Sequence, residues 1–177
     1  MRPSKCVSVS LPLLLWGILA TGRLRAQSNP VYPIEANIVY HFTKYIDWPN
    51  KDEPGDFVIG VIGNSPVFDE MVKLMGQRTV GSKKITIKTF QPNSANPTCQ
   101  ILFITEDARS CLKTLAAQTT TSPVLIVCEG SGLARHGASI DLVLSDEHLK
   151  LEINKSNIEH HKLQIASELL QLATIVN

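Results

Sequence analysis

Apolar residues recur at helical spacing near the start of the chain, over residues 34–47. The positions that would share one helix face are Ile34, Ile38, Phe42, Tyr45 and Ile46. Trp48 and Pro49 follow, and because proline disfavours the helical conformation in the residue before it, the helix should end near Asp47. We expect this helix to bury Phe42 and Ile38 against a sheet and to leave Tyr45 and Trp48 partly exposed at its end.

Short apolar runs alternate with helical segments through the middle of the chain. Strands are predicted at residues 57–62, 85–90, 101–104 and 124–127. The first helix between them has Ser65 as its N-cap and Pro66 at its first position, and it ends at Gly76. The next helix begins at Thr105. This alternation predicts parallel βαβ units, with the half-polar strand 85–90 near an edge of the sheet.

The last third of the chain has a different pattern. Residues 139–144 and 149–153 flank a polar turn and predict an antiparallel hairpin. The stripe of Ile165, Leu169, Leu172 and Val176 predicts a long final helix over residues 163–175. The fold class is therefore α/β: a mixed, mainly parallel sheet flanked by helices, a Rossmann-like sandwich that ends in an antiparallel hairpin and a long C-terminal helix.

Residues 1–26 have the pattern of a signal peptide, with a basic start, an apolar run and a peptidase site before Gln27. The run of about 14 apolar residues is shorter than the roughly 20 that span a bilayer. We therefore expect export to the periplasm and a single domain over residues 27–177.

The charge of the exported chain disfavours nucleic acid as a partner. Without the four basic residues of the leader, residues 27–177 hold 13 Lys and Arg against 16 Asp and Glu, a formal charge of −3. Binding to phosphate backbones needs clustered basic side chains, and the longest basic run here is Lys83-Lys84.

Three cysteines, Cys99, Cys111 and Cys128, follow the leader. An odd number permits at most one internal disulfide in an oxidising compartment. If their strands are parallel, Cys99 and Cys128 lie at opposite ends of those strands, too far apart for a bond. We expect all three thiols to be reduced.

The polar residues form no recognisable pattern for catalysis or metal binding. Ser131 lies in Glu129-Gly130-Ser131-Gly132, which lacks the glycine two residues before the serine of a nucleophile elbow. The sequence contains no phosphate-binding glycine motif, and its histidines lack the spacing of metal ligands. We therefore predict no catalytic residue, no metal site and no cofactor, which favours a binding role.

Three motifs resemble those of the YfiR-like family of small periplasmic bacterial proteins. The first combines a small residue, two aromatic residues and a Trp-Pro pair: Ala36, Phe42, Tyr45, Trp48 and Pro49. The second is Gly63-Asn64-Ser65 after the first strand, and the third is Leu151-Glu152-Ile153-Asn154 followed by residues 163–173. Ala166 and residues 159–161 depart from the family pattern. Some relatives join the position of Cys99 to a first-strand cysteine, which this chain lacks.

The resemblance implies a non-enzymatic periplasmic regulator that binds the periplasmic part of an inner-membrane signalling protein. In the best-known member the partner is a diguanylate cyclase, and release from repression raises cyclic di-GMP, a signal for biofilm formation. A sensor kinase, an outer-membrane lipoprotein and a second copy of the chain are further candidate partners. The candidate partner-binding residues are Tyr45, Trp48, Glu168 and Gln171.

A periplasmic sensor domain for a small ligand is the alternative function. Ligands of open α/β sheets bind in the crevice at the carboxyl ends of the parallel strands. The candidate ligand-binding residues at that edge are Asn64, Ser65, Thr105 and Glu129.

Overall fold

The computed structural model describes residues 30–146 and 148–177, so the expected signal peptide lies outside the described residues. The helices of the described chain are α1 (Val31–Tyr45), α2 (Val67–Met75), α3 (Leu112–Thr119), α4 (Lys155–His160) and α5 (Ser167–Gln171). The strands are β1 (Ile46–Asp47), β2 (Phe57–Ile62), β3 (Thr79–Val80), β4 (Lys83–Phe90), β5 (Ile101–Ile104), β6 (Leu125–Glu129), β7 (Ile140–Ser145), β8 (His148–Ile153), β9 (Gln164–Ile165) and β10 (Thr174–Ile175). Two 3₁₀ helices, Glu106–Cys111 and Leu133–His136, complete the elements.

One eight-stranded sheet organises the chain, in the order β10-β8-β7-β6-β5-β2-β4-β3. The neighbours from β7 through β4 all pair in parallel. Strands β7 and β8 form the antiparallel hairpin, and β3 pairs antiparallel with β4. The prediction of a mixed, mainly parallel sheet flanked by helices is confirmed, as is the position of β4 near an edge.

Strand β2 lies in the interior of the sheet, between β4 and β5. Its run of apolar residues is buried on both faces, as expected of a parallel strand covered by helices. Ile59 points to the face that α1 and α2 cover, where it packs with Phe42 and Met71. Ile62 points to the opposite face, where Leu115 of α3 covers it. The two layers of helices therefore enclose two separate halves of the core.

Helix α1 buries Phe42 as predicted and half-buries Ile38, but its buried face is turned away from Ile34. Its buried residues are Glu35, Ala36, Val39 and Phe42, while Ile34 is 49% exposed. Glu35 and Ile34 are adjacent, so their side chains point about 100° apart, and the helix turns the glutamate inward. The helix also ends at Tyr45 rather than near Asp47, because Ile46 and Asp47 pair with β9.

The expectation that Trp48 is partly exposed is wrong. Its side chain is only 3% exposed, and its ring packs edge to face on Phe57, with ring centroids 5.0 Å apart. The indole Nε1 donates a hydrogen bond to the Gln100 carbonyl at 3.1 Å. Tyr45 is half-buried, as expected.

The prediction of a long C-terminal helix is also wrong. Residues 163–177 fold instead as β9, the five-residue helix α5 and β10. Ile165 pairs with Ile46, and Ile175 pairs with Ile153, so two β-branched residues satisfy their backbone groups in sheets. Lys162, with φ of 59°, separates α4 from this segment. Leu169 is buried, but Leu172 is 75% exposed and belongs to no apolar stripe.

Cys99, Cys111 and Cys128 are free thiols. Cys128 pairs with Ile104 near the carboxyl end of β6, whereas Cys99 precedes β5, so the two lie at opposite ends as predicted. A Cβ atom built on Gly60 of β2 would lie 3.3 Å from the Cys99 Sγ, so Gly60 is a near neighbour of that thiol.

Candidate functional site

The carboxyl ends of β2 and β5 mark the point where the chain changes direction across the sheet. After β2 the chain crosses to β4 on one side, and after β5 it crosses to β6 on the other. Loops at such a point diverge and leave a crevice. Here the crevice is a cavity of about 340 Å³, the carboxyl-edge cleft, lined by Tyr32, Asn64, Ser65, Glu106, Asp107 and Glu129.

Two carboxylates of this cleft accept hydrogen bonds from the backbone at the start of the loops. Asp107 accepts from the Asn64 N–H at 3.1 Å, and Glu129 Oε2 accepts from the Glu106 N–H at 2.8 Å. Ser65 Oγ donates to Glu129 Oε1 at 3.4 Å. In nucleotide-binding α/β folds, the phosphate groups of the ligand accept hydrogen bonds from such N–H groups. Here the carboxylates of Asp107 and Glu129 accept these hydrogen bonds instead. The cleft is therefore acidic, and it disfavours binding of a phosphate group.

Three of the four predicted ligand-binding residues line this cleft, namely Asn64, Ser65 and Glu129. Thr105 does not line it, because its side chain is completely buried. The Thr105 hydroxyl donates to the Ile62 carbonyl at 3.1 Å and also contacts Asp107. Thr105 therefore fixes the loop rather than facing a ligand.

Glu35 is a residue of this region that sequence reasoning missed. It is 4% exposed on the inner face of α1, and its Oε2 has no hydrogen-bond partner among the described residues. Its pKa is raised to about 8, first by burial and then by the charge of Glu129 and a hydrogen bond with that side chain. The sequence signal that could have identified Glu35 was its helical spacing with Val39 and Phe42, which lie on the same buried face of α1.

Glu129 is the second member of this acidic pair. Burial raises its pKa, while hydrogen bonds from the Glu106 backbone and the Ser65 hydroxyl oppose that rise. Over residues 30–146 and 148–177, no three His, Cys, Asp or Glu side chains are grouped so that they could hold a metal ion. The arrangement can therefore hold a proton between two carboxyl groups, or attract a small organic cation.

A second cavity lies at the opposite end of the strands, where β2, β4 and β5 begin. This amino-edge groove has a volume of about 500 Å³. It is lined by residues 43–48, 50–52 and 80–83, by Phe57 and Gln100, and by residues 164–166. Trp48, Phe57 and Ile46 give it an apolar wall that is part of the main core.

Polar groups of the amino-edge groove are held at its base. Lys83 is 8% exposed, and its ammonium group donates to the Asn50 carbonyl at 3.0 Å. The Asn50 side-chain oxygen is buried with no hydrogen-bond partner in the described part of the chain. Gln100 Oε1 accepts from the Val58 N–H at 2.7 Å, which fixes the residue that binds the Trp48 indole.

The four predicted partner-binding residues lie in this part of the molecule. Tyr45 and Trp48 line the amino-edge groove. The Ala166 N–H donates to the Tyr45 carbonyl at 2.8 Å, and α5 starts at the next residue. Glu168 and Gln171 are exposed on α5. The groove and the exposed face of α5 therefore belong to neighbouring segments of the chain.

The Cys128 thiol is not activated for catalysis. Cys128 is fully buried, and burial raises the pKa of its thiol well above the ordinary value. A thiol in that state is protonated and unreactive. Asp141, its partner in β7, has a pKa raised by burial to about 6, and its Oδ2 accepts from the Ala134 N–H at 2.8 Å. This carboxylate holds the loop after β6.

Comparison with known proteins identifies the family of the chain. No curated protein sequence matches it significantly. Within the residues that the structure describes, no helix has the length and apolar character needed to cross a membrane. A family model described as YfiR/HmsC-like matches residues 32–174, which includes both cavities and almost the whole sheet. The chain therefore belongs to the YfiR/HmsC-like family.

Proposed function

We propose that this protein is a periplasmic regulator that binds the periplasmic part of an inner-membrane diguanylate cyclase and represses it. The YfiR/HmsC-like family consists of periplasmic regulatory proteins that act with a membrane signalling partner. Family membership is the observation that carries the proposal. Export by a signal peptide over residues 1–26 would bring the chain to that compartment.

The amino-edge groove supports a docking role for this edge of the molecule. Binding energy at protein interfaces concentrates where a large apolar side chain of one partner fills a desolvated pocket of the other. Tyr45 and Trp48 line the groove and could contact an apolar side chain of the partner. The Asn50 side-chain oxygen, which has no hydrogen-bond partner in the described residues, could accept a hydrogen bond from that partner. Glu168 and Gln171 would lie at the polar rim, where charges steer association.

Repression then follows from a binding equilibrium. The regulator holds the cyclase in its inactive state only if it binds that state more tightly than the active one. A coupling of 1–3 kcal/mol would shift the equilibrium between the inactive and active states of the cyclase about 5- to 150-fold. Anything that weakens the complex in the envelope raises cyclic di-GMP in the cytoplasm.

Measurement of intracellular cyclic di-GMP tests this function. A strain that lacks the gene should contain more cyclic di-GMP than the parent, and the wild-type gene should restore the lower level. Tyr45→Ala should fail to restore it, whereas Tyr40→Ala should succeed, because Tyr40 is half-buried on the same helix but does not line the groove. Unchanged cyclic di-GMP after deletion would rule out a cyclase partner.

Charge reversal at the rim gives a second comparison in the same assay. Glu168→Arg and Gln171→Arg should impair repression while the melting temperature stays at the wild-type value, since both side chains are exposed. Gln91→Arg is the matched control, because Gln91 is an exposed glutamine that follows the carboxyl end of β4. Equal behaviour of Gln171→Arg and Gln91→Arg would exclude α5 from the interface.

A small-ligand sensor is the second candidate function, and the position of the carboxyl-edge cleft favours it. The cleft lies at the point where ligands bind in open α/β sheets, and its lining is acidic. A ligand there would be a small organic cation. Thermal shift measurements with organic amines should then show that the amine raises the melting temperature of the wild type but not that of Glu129→Gln. Stabilisation by nucleotides would instead contradict the expectation that the acidic cleft binds a cation.

A further inference from the structure

Two carboxyl groups from distant parts of the chain meet beneath the first helix. Glu35 lies on α1, and Glu129 lies at the end of β6. Glu129 also contacts the Ser65 hydroxyl and the Glu106 N–H, so this one side chain connects the loops that follow β2 and β5. Glu35 is 4% exposed, and within the described residues no Lys, Arg or His forms an ion pair with either carboxyl group.

We propose that Glu35 and Glu129 form a proton-operated latch. One proton shared by the pair holds the N-terminal half of α1 on the sheet, and loss of that proton as the pH rises toward 8 favours release of this half from the carboxyl-edge cleft. This inference is independent of the proposed function, because it concerns the equilibrium of α1 alone.

The surroundings of the pair offer little compensation for a second negative charge. The segment after β5 contributes Glu106, Asp107 and Arg109, and the Arg109 guanidinium pairs with Glu106 at 3.7 Å on the surface. The loop after β2 contributes only the neutral Asn64 and Ser65, and α1 itself adds Tyr32. Two adjacent carboxylates in a buried site cannot both ionise without a large cost.

Helix α2 also packs on α1, and its charged residues are Asp69, Glu70 and Lys73. Lys73 pairs with Glu70 at 3.7 Å and is largely exposed, while Asp69 is exposed. Glu129 is the charged group that raises the pKa of Glu35 after burial itself. A second negative charge on the pair would therefore have no compensating positive charge nearby. Movement of α1 that exposes the pair to water would lower the free-energy cost of that charge.

The direction of the pH effect follows from the shift in pKa. The pKa of Glu35 is about 8 in the folded protein, against an ordinary value of 4.5. Between these values the folded state holds a proton that the unfolded state has released, so stability falls as pH rises through this interval. Opening of the latch should therefore become about tenfold more favourable for each pH unit between about 4.5 and 8, and it should level off above pH 8, where both forms have lost the proton.

Hydrogen exchange of α1 in the purified exported protein tests the latch. After correction for intrinsic exchange, opening of residues 31–39 should increase about tenfold for each pH unit between about pH 5 and pH 8 and should be constant above pH 8. Glu35→Gln mimics the protonated carboxyl group and should keep exchange of this segment constant over the same range. Glu159→Gln, an exposed glutamate on α4, should behave as the wild type. Wild-type opening that stays constant between about pH 5 and pH 8 would overturn the proposal.

Carbon NMR of glutamate-labelled protein gives a second readout. One carboxyl carbon should titrate near pH 8 in the wild type and be missing in Glu35→Gln. In Glu129→Gln that carbon should titrate at lower pH, because the neighbouring charge is gone, and this comparison is available even if Glu35→Gln does not fold. Titration of every glutamate below pH 6 in the wild type would exclude a shared proton.

Discussion

At the scale of one residue, the Trp-Pro pattern correctly predicted that the first helix ends close to Trp48 but wrongly predicted that Trp48 is partly exposed. The Trp-Pro pair does mark the end of α1. The indole nevertheless lies inside the core, because its ring packs on Phe57 at the start of β2 and the Gln100 carbonyl accepts its N–H. Buried tryptophans usually find such an acceptor, which allows the ring to be both core and groove wall.

Trp48→Ala should lower the free energy of unfolding by about 3–5 kcal/mol, because it removes a buried ring and leaves a cavity. Trp48→Phe should cost less, since it keeps most of the apolar volume and loses the hydrogen bond to Gln100. Urea denaturation of both variants measures this order. If Trp48→Ala melts at the wild-type temperature, the indole is not part of the core.

Binding measurements on the same variants separate core from interface. If Trp48 also contacts the partner, a stable Trp48→Phe protein should bind more weakly than the wild type. A large loss of stability with unchanged partner binding would remove Trp48 from the candidate interface.

The C-terminal segment shows what decides structure at the scale of an element. Ile165, Leu169, Leu172 and Val176 have spacing compatible with a helix. Only residues 167–171 are α-helical, because the flanking residues pair with β1 and β8. Short helices have little stability of their own, so available sheet partners override a helical pattern of this length.

A comparison of two leucines tests this assignment. Leu169→Ala should cost about 2–5 kcal/mol of stability, because its side chain is 4% exposed in the main core. Leu172→Ala should change stability by no more than about 0.5 kcal/mol, since Leu172 is 75% exposed. Chemical denaturation of both variants distinguishes the observed fold from a long helix, in which the two losses would be similar.

At the scale of the whole molecule, the chain is a sheet with a chemically different cavity at each edge. The amino-edge groove has an apolar wall, and the carboxyl-edge cleft has a lining of acids and small polar residues. Helix α1 connects them, since Tyr32 lines the cleft and Tyr45 lines the groove. The two cavities are therefore lined by opposite ends of one helix.

The free thiols allow a prediction for the whole domain. Melting of the purified exported protein should be the same with and without dithiothreitol, because Cys99, Cys111 and Cys128 form no disulfide in the described structure. A disulfide would typically contribute 2–4 kcal/mol. A lower melting temperature on reduction, or a covalent dimer on a non-reducing gel, would instead indicate a redox-sensitive bond.

The sequence by itself determined the sheet and much of its order. Strands β2 and β5 have the predicted bounds, because a continuous apolar run must be buried on both faces whatever its neighbours are. The hairpin of β7 and β8 was also predictable, since two alternating segments flank a short polar turn. Asn64, Ser65 and Glu129 could be assigned to one edge, because parallel strands bring their carboxyl ends together.

Only the tertiary structure decided which side chains meet across that framework. Glu35 is distant in sequence from Glu129, and only the packing of α1 on the sheet buries the two together. The fate of Trp48 and of residues 163–177 likewise depended on pairing between β1 and β9. Periodicity records which residues share a local face, but contacts between remote segments depend on how those faces pack, and no local pattern encodes that.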